Sequence, residues 1–445
     1  MPELFDYAPQ VRTLSERFIG EPTTHHNFHE FAERPAVLAG EKRIVVCADG
    51  TWNTPKKKDH GDESAATNVW LTYKLIKHHD SGGMPQLKYY HAGIGTGGNW
   101  LRRAFEGATG GGLEWNMLDC YRFLVENYNP GDHLYLVGFS RGAYTVRTLA
   151  GMIRNSGIID RRRVASDQLD QVTAQAYEIY RDRSMDATPV APKAVAFRDE
   201  YSHPDFRIAG IGVWDTVGAR GIPAEKHSPL SLWNTWRYSF HDVSLSAYVD
   251  CAFHALAVDE QRGPFRSTLW IQQPHAKDEG QVLEQTWFPG AHSDVGGGNS
   301  WEKRGLATCS LEWMVGRFEQ HTKLEFNRER LEEFKQRTGE AHLIRDSMTL
   351  IYRLLNGARL TQPFNRVIDS SLAIKGARDF DRTTTEVLAD WTPLRPVYER
   401  RGRQWPPFSV TDYETRLAAW KDRRPPQCDP PAGLDRKPSA PPPSS

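Results

Sequence analysis

The chain has 445 residues, of which 39% are hydrophobic, and its fourteen tryptophans supply ample material for a buried core. Its 56 basic and 56 acidic residues cancel, which argues against a dedicated electrostatic nucleic-acid binder. The five cysteines are scattered and form no C-x-x-C pair, so a reduced protein made in the cytosol fits best.

Residues 1–40 are polar and are predicted to form an extended arm. They lack the basic and apolar regions of a secretory signal, and nowhere does the chain approach the roughly 18 apolar residues of a membrane span. Any export would therefore use another route. The histidines at 25, 26 and 29 have no acidic or cysteine partner at ligand spacing, so no metal is expected there.

A β-branched run from Arg43 to Ala48 predicts a buried strand, and Asp49-Gly50-Thr51 follows as a loop at its end. Thr67 or Asn68 can cap the helix that comes next.

A second short strand, from Leu87 to His91, precedes the glycine-rich stretch 93–98, which matches G-x-G-x-x-G. The acidic residue that dinucleotide binding requires would be Asp119, but it falls inside a helical pattern from Leu113 to Tyr128. A glycine loop bordering a cleft is therefore favoured over a nucleotide site.

The segment Gly138-Phe139-Ser140-Arg141-Gly142 reads G-x-S-x-G between an apolar strand pattern and a helical pattern. The two glycines remove the Cβ atoms that would collide in so sharp a turn. We expect Ser140 to occupy a strained conformation with its hydroxyl projecting from the top of a sheet.

Residues 157–206 are polar and are predicted to form an insertion with some helix. The apolar run from Arg207 to Trp214 predicts a further strand, which delivers Asp215 to the same sheet edge as Ser140.

Residues 222–281 are rich in aromatic side chains, which suit either core packing or a cap that presents an apolar groove. Within this second predicted insertion, His254 is expected to pack or to hydrogen-bond inside a helix.

A last strand is predicted from Val282 to Phe288, with His292 on the glycine-bounded loop that follows. Helical patterns predominate over residues 304–420, including a charged surface helix near 325–337. The proline-rich tail, residues 421–445, is expected to be disordered.

Ser140, Asp215 and His292 follow one another in the order that is typical of α/β-hydrolases. His292 would take the proton of the serine hydroxyl, and Asp215 would orient the imidazole, with Asp294 and Asp259 as rival acids. The tetrahedral oxyanion needs backbone N–H donors. We assign these donors to Arg141 and to the loop after the first strand, at Gly50 or Thr51.

Six segments in this order resemble the α/β-hydrolase family that contains the catalytic domain of type VI secretion lipase effectors of the first class, the Tle1-like phospholipases. They are IVVCADGTWN, YYHAGIGTGG, GDHLYLVGFSRGAYTVRTLAGMI, GVWDTVGARG, HALAVDEQR and WFPGAHSDVGGG. The resemblance spans residues 43–300. It implies an α/β fold with a mostly parallel central sheet and helices on both faces.

The same resemblance implies a serine-dependent carboxylester hydrolase, a phospholipase of A type that needs no metal or organic cofactor. It also implies a lipid or phospholipid ester substrate, transient contact with a membrane surface, and a secretion-machinery or immunity partner. The catalytic domain would span residues 41–303, with 304–420 completing or packing on its core. Two alternatives stay open: an esterase or amidase on soluble substrates, and a non-catalytic scaffold that binds a protein partner.

Overall fold

The computed structural model describes residues 41–50, 65–93, 111–182, 188–217, 244–262, 265, 267–338 and 386–388. The histidine cluster of the predicted arm, most of the glycine-rich stretch, the segment 222–243 and the proline-rich tail lie outside these residues. Thr51 and Cys428 also lie outside them.

Within the described residues, seven parallel strands form one sheet in the order β2-β1-β3-β4-β5-β6-β7. The predicted α/β class with a parallel sheet is confirmed. The strands are β1 Arg43–Ala48, β2 Gln86–His91, β3 His133–Phe139, β4 Ile208–Trp214, β5 Cys251–Ala257, β6 Val282–Phe288 and β7 Glu386–Leu388.

Helices cover both faces of the sheet, as predicted. In chain order the described helices are α1 Asn68–Leu75, α2 Gly111–Asn127, α3 Arg141–Ser156, α4 Leu169–Arg181, α5 Pro192–Tyr201, α6 Pro274–Asp278, α7 His292–Gly296, α8 Gly305–His321 and α9 Arg328–Arg337.

The side chains of β1 show how one strand serves two cores. Val45 and Cys47 pack with α1, α8 and α9 on one face, whereas Ile44 and Val46 pack with α2 to α5 on the other. Successive side chains of a strand point to opposite faces, so a strand covered on both sides reads as a continuous apolar run.

The chain reverses direction across the sheet between β1 and β3, because β2 lies on one side of β1 and β3 lies on the other. The connections after β1 and β3 therefore run to opposite faces and leave a crevice at the carboxyl ends of these strands. The Asp49 loop and the Ser140 turn both border this crevice.

Two of the strands, β5 and β7, were not predicted from the sequence. Residues 251–257 form β5, with His254 on a central strand rather than in a helix, and this strand lies inside the range predicted as an insertion. The run CAFHALA is too short for its apolar pattern to separate a buried strand from a buried helix. Likewise, β7 lies in the predicted helical region and pairs with β6.

The predicted surface helix is present as α9, whose Leu331 and Phe334 are buried. Before it, α8 packs Leu311, Met314 and Phe318 into the core beside the sheet. Among the helices of the described residues, none combines the length and apolarity that crossing a membrane requires.

Candidate active site

Ser140 stands between β3 and α3 with φ 57° and ψ −118°, a backbone conformation that is strained for any residue other than glycine. A Cβ atom on Gly138 would lie 2.6 Å from Gly142 O, and one on Gly142 would lie 2.0 Å from Ala48 O. Both glycines of the motif are therefore required by close backbone packing. Ser140 itself is partly exposed.

The turn at Ser140 is held by its neighbours in the sheet. The Ser140 N–H donates to Trp214 O at 3.0 Å, so the turn is tied to the residue that precedes Asp215. Within the described part of the chain, Ser140 and Asp215 are the only non-glycine residues with positive φ. The strain is thus concentrated at two adjacent strand ends.

Asp215 follows β4 and is completely buried. Its Oδ2 lies 2.5 Å from Nδ1 of His292. Its Oδ1 accepts hydrogen bonds from Ser267 Oγ at 2.6 Å and from the Ala257 N–H at 3.2 Å. These contacts satisfy both oxygens and fix the plane of the carboxylate.

His292 is the first residue of α7 and is buried at 5% exposure. Its ring lies between Phe139, with ring centroids 4.6 Å apart, and Phe265, at 5.0 Å. Because Phe139 directly precedes Ser140, this packing brings the imidazole to the strand-to-helix turn at Ser140, which we call the elbow. The His292 N–H donates to Oε2 of Glu260 at 3.2 Å.

The two rival acids hold the loop of His292 in place. Oδ2 of Asp259 accepts the Gly290 N–H at 2.7 Å, and Oδ2 of Asp294 accepts the Ala291 N–H at 3.0 Å. Of the three acids that the sequence offered, Asp215 is the one whose carboxylate contacts the imidazole of His292.

The loop after β1 is organised around the buried carboxylate of Asp49. Its Oδ2 accepts from Thr67 Oγ1 at 2.5 Å and from Tyr90 Oη at 2.7 Å. Burial, and then the charge of Asp49, raises the pKa of Tyr90 well above its ordinary value, so the phenol keeps its proton and donates. Thr67 also caps α1 by accepting from the Trp70 N–H at 3.1 Å.

Gly50 is one of the two alternative oxyanion donors that the sequence predicts in this loop. Its N–H donates to Oδ1 of Asp49 at 2.6 Å, so the hydrogen bond that the oxyanion would need is already engaged within the loop. The alternative donor, Thr51, lies outside the described residues. Arg141 begins α3. The first N–H groups of a helix are not used by its own hydrogen-bond ladder.

The glycine-rich stretch 93–98 begins with a packing constraint. A Cβ atom on Gly93 would lie 2.0 Å from Gly50 O, so the two loops approach each other closely. Residues 94–98 lie outside the described residues. In the described part of the chain, no group of three or more His, Cys, Asp and Glu side chains could hold a metal ion.

Several residues of the site were missed in the sequence, above all Ser267, Glu260 and Tyr90. Ser267 lies in a segment without regular secondary structure, so no periodic pattern marks it. Glu260 and Tyr90 belong to segments that carried the family resemblance, and their position in those segments was the one signal that could have identified them. Glu260 also forms a bidentate ion pair with Arg262, in which Nε donates to Oε1 at 2.8 Å and Nη2 donates to Oε2 at 2.7 Å.

The parallel sheet, the strained turn at Ser140 and the strand-end positions of Asp215 and His292 define an α/β-hydrolase-like protein. More particularly, the chain belongs to the family described as T6SS, phospholipase effector Tle1-like, catalytic domain, whose model matches residues 42–317. The predicted family is confirmed.

One curated relative is the uncharacterized protein YEL023C of Saccharomyces cerevisiae, 26% identical over 253 residues. The match covers 53% of this chain and 33% of the relative, so the chain spans about a third of its length.

Two solved structures are also similar to the chain. One is the crystal structure of an uncharacterized protein from Pseudomonas aeruginosa, with 17% identity and a TM-score of 0.38 over 73% of this chain and 51% of the other. The second is the structure of the Tle1 effector bound to the VgrG spike from the type 6 secretion system. It has 18% identity and a TM-score of 0.34, over 58% of this chain and 51% of the other.

Proposed function

We propose that the protein is a serine-dependent carboxylester hydrolase that acts on phospholipids. The observation that carries the proposal is the strained turn at Ser140, placed at the sheet edge where the Asp215 carboxylate contacts the imidazole of His292 at 2.5 Å. In this proposal Ser140 is the nucleophile, His292 the base and Asp215 the orienting acid, the three roles that acyl transfer uses.

In the first half of the reaction, Ser140 Oγ attacks the ester carbonyl carbon while Nε2 of His292 takes the hydroxyl proton. The carbon–oxygen bond to the leaving alcohol then breaks, and His292 returns the proton to that oxygen. Ser140 is left as an acyl ester. Asp215 holds Nδ1–H of His292 and stabilises the imidazolium that forms in between.

The negative oxygen of the tetrahedral intermediate needs donors that are already oriented. We assign one to the Arg141 N–H, at the start of α3, where the helix dipole also favours negative charge. Because the Gly50 N–H serves Asp49, we keep Thr51 as the second donor.

In the second half, His292 removes a proton from a water molecule, which attacks the acyl carbon. The acyl-oxygen bond to Ser140 breaks, the serine recovers its proton from His292, and a fatty acid leaves. Family membership supports a phospholipid as the substrate and type VI secretion as the delivery route. We propose A-type cleavage, which releases a fatty acid and a lysophospholipid.

The test is hydrolysis of phospholipid vesicles and of short-chain soluble esters, with product analysis by mass spectrometry. We expect Ser140→Ala to lower kcat/KM by roughly 10³-fold or more, because no other group replaces the nucleophile. The matched control is Ser166→Ala, an exposed serine remote in sequence from the elbow. This control should retain the activity of the unaltered protein.

Three results would contradict the proposal in different ways. An unaltered protein that hydrolyses no ester, or a fully active Ser140→Ala variant, would remove the serine mechanism. Activity on soluble esters alone would show that the protein is an esterase for soluble substrates and does not act on phospholipids. Failure of a fluorophosphonate probe to label Ser140 in folded protein would favour a scaffold that binds a partner.

A further inference from the structure

His254 is a completely buried histidine that lies outside the proposed triad, on β5. Its Nε2 lies 3.1 Å from the Thr216 N–H, and its Nδ1 lies 3.2 Å from Oε1 of Gln285. A backbone N–H can only donate, so Nε2 accepts and Nδ1 carries the proton. The hydrogen bonds therefore define a neutral ring in a single tautomer.

Gln285, on the neighbouring strand β6, is also completely buried. Its Oε1 accepts from the Trp270 N–H at 2.8 Å, and its Nε2 donates to Trp270 O at 3.0 Å. The amide thus pairs with both backbone groups of one residue. Oε1 of Gln285 therefore accepts two hydrogen bonds, one from the Trp270 N–H and one from Nδ1–H of His254.

The two backbone segments that this pair holds are those that build the acid site. Thr216 directly follows Asp215, and Trp270 lies three residues after Ser267, which donates to Asp215 Oδ1 at 2.6 Å. The segments also bond to each other, because the Thr268 N–H donates to Thr216 O at 3.1 Å. Any shift between them would change how the carboxylate faces His292.

Asp215 needs such support, since its φ of 39° lies in the left-handed region that disfavours side chains. A strained residue keeps its conformation when the surrounding structure over-determines it. The N–H of the next residue is anchored by a side chain from β5, which pairs with β4. The anchor therefore acts at the strained position itself.

We propose that His254 and Gln285 form a buried positioning pair for Asp215. This inference rests on the proposed function, because it assigns Asp215 to the triad. Both are positioning residues in this proposal. They act through Asp215 by fixing the two segments that determine the orientation of its carboxylate.

The test compares two replacements of His254 in the full chain. His254→Phe keeps a flat ring but removes the acceptor, whereas His254→Gln places an amide oxygen near the former Nε2. We expect the phenylalanine variant to lose roughly tenfold or more in kcat with KM changed less than about twofold. The glutamine variant should recover most of that loss.

A double-mutant cycle separates positioning from general destabilisation. The rate at which a fluorophosphonate probe labels Ser140 is measured for each variant with Asp215 and with Asp215→Asn. If His254 acts through Asp215, the His254→Phe substitution should slow labelling less than about twofold once Asp215 is replaced. An undiminished loss in that background would overturn the proposal.

His203→Phe is the matched control. His203 is another buried histidine, at 4% exposure, whose Nδ1 lies 3.8 Å from Oδ2 of Asp160. We expect it to leave kcat near that of the unaltered protein. If His254→Phe does not fold, Gln285→Met is used instead. This substitution keeps the imidazole of His254 and removes the two hydrogen bonds between Gln285 and the backbone of Trp270, and we expect the same loss of kcat.

The outcomes separate this inference from the proposed function. Absence of Ser140-dependent hydrolysis in the unaltered protein contradicts the function itself. Ser140-dependent hydrolysis with full kcat in His254→Phe, or in Gln285→Met where that variant is used, contradicts only the positioning pair.

Discussion

At the scale of single residues, the approach of backbone atoms decides which side chains the elbow can accept. Gly142 lies against the end of β1, where a Cβ atom would meet Ala48 O at 2.0 Å and Asp49 O at 2.6 Å. Neither oxygen can move without disturbing the sheet, since Ala48 belongs to β1 and Asp49 anchors the loop beside it.

We therefore predict that Gly142→Ala lowers the free energy of unfolding by about 3 kcal/mol and removes most of the proposed hydrolase activity. The matched control is Gly316→Ala in α8, where a Cβ atom would meet nothing within 4 Å. That substitution should raise the free energy of unfolding by about 0.5–1 kcal/mol, because alanine favours helix. Urea unfolding and ester hydrolysis measure both variants, and equal stability for the two would contradict the packing argument.

At the scale of elements, Glu325 joins the connection between α8 and α9 to the segment that precedes β2. Its Oε1 accepts from the Ser81 backbone N–H at 3.0 Å and from Ser81 Oγ at 2.5 Å, and Lys77 Nζ lies 2.9 Å from Oε2. These bonds, first that of Ser81 and then that of Lys77, lower the pKa of Glu325 from 4.5 to about 2.

The lowered pKa sets the direction of a pH effect. The ionised carboxylate contributes stability in full above pH 4.5, and that contribution falls as the pH drops toward 2. Glu325→Gln should therefore unfold at lower urea than the unaltered protein at about pH 7, with a smaller gap at about pH 3. Salt should narrow the gap too, since the pair is near the surface.

Glu333→Gln, at an exposed position of α9, is the control for this effect. We expect its urea midpoint to follow that of the unaltered protein at both pH values. A gap for Glu325→Gln that stays constant from neutral to acid pH would show that ionisation of this carboxylate does not link the two elements.

At the scale of the whole molecule, β7 extends the sheet beyond the strand that leads to His292. It pairs with Gln285, Thr286 and Trp287 of β6, and so occupies hydrogen-bonding groups that would otherwise form a free edge. Gln285 is also the proposed anchor of Trp270. The strand β7, which is distant along the chain, therefore pairs with a residue that supports the candidate active site.

Two shortened chains test the contribution of β7. One ends after residue 384 and lacks the strand, and the other ends after residue 392 and keeps it. We expect the shorter chain to unfold at lower urea and to associate at high concentration, because an exposed strand edge recruits other strands. Light scattering and urea unfolding measure the difference, and matching behaviour of the two chains would contradict this role.

The sequence by itself determined the strands that read as continuous apolar runs and the polar groups at their ends. Arg43–Ala48 and Val282–Phe288 were predicted with the bounds that the structure has. For Arg43–Ala48 the local signal is the apolar run that burial on both faces of the sheet requires. The turn at Ser140 could also be predicted from the sequence, since its glycines and the flanking strand and helix patterns are contiguous in the chain.

Only the tertiary structure decided which groups meet. Asp215 contacts His292 across 77 positions of sequence, whereas Asp294 lies just two residues from His292 and instead fixes the loop. The bonds from Ser267 and His254, and the engagement of the Gly50 N–H by Asp49, depend on how neighbouring segments are placed. Such contacts leave no periodic pattern, because they are set by packing between elements that are distant along the chain.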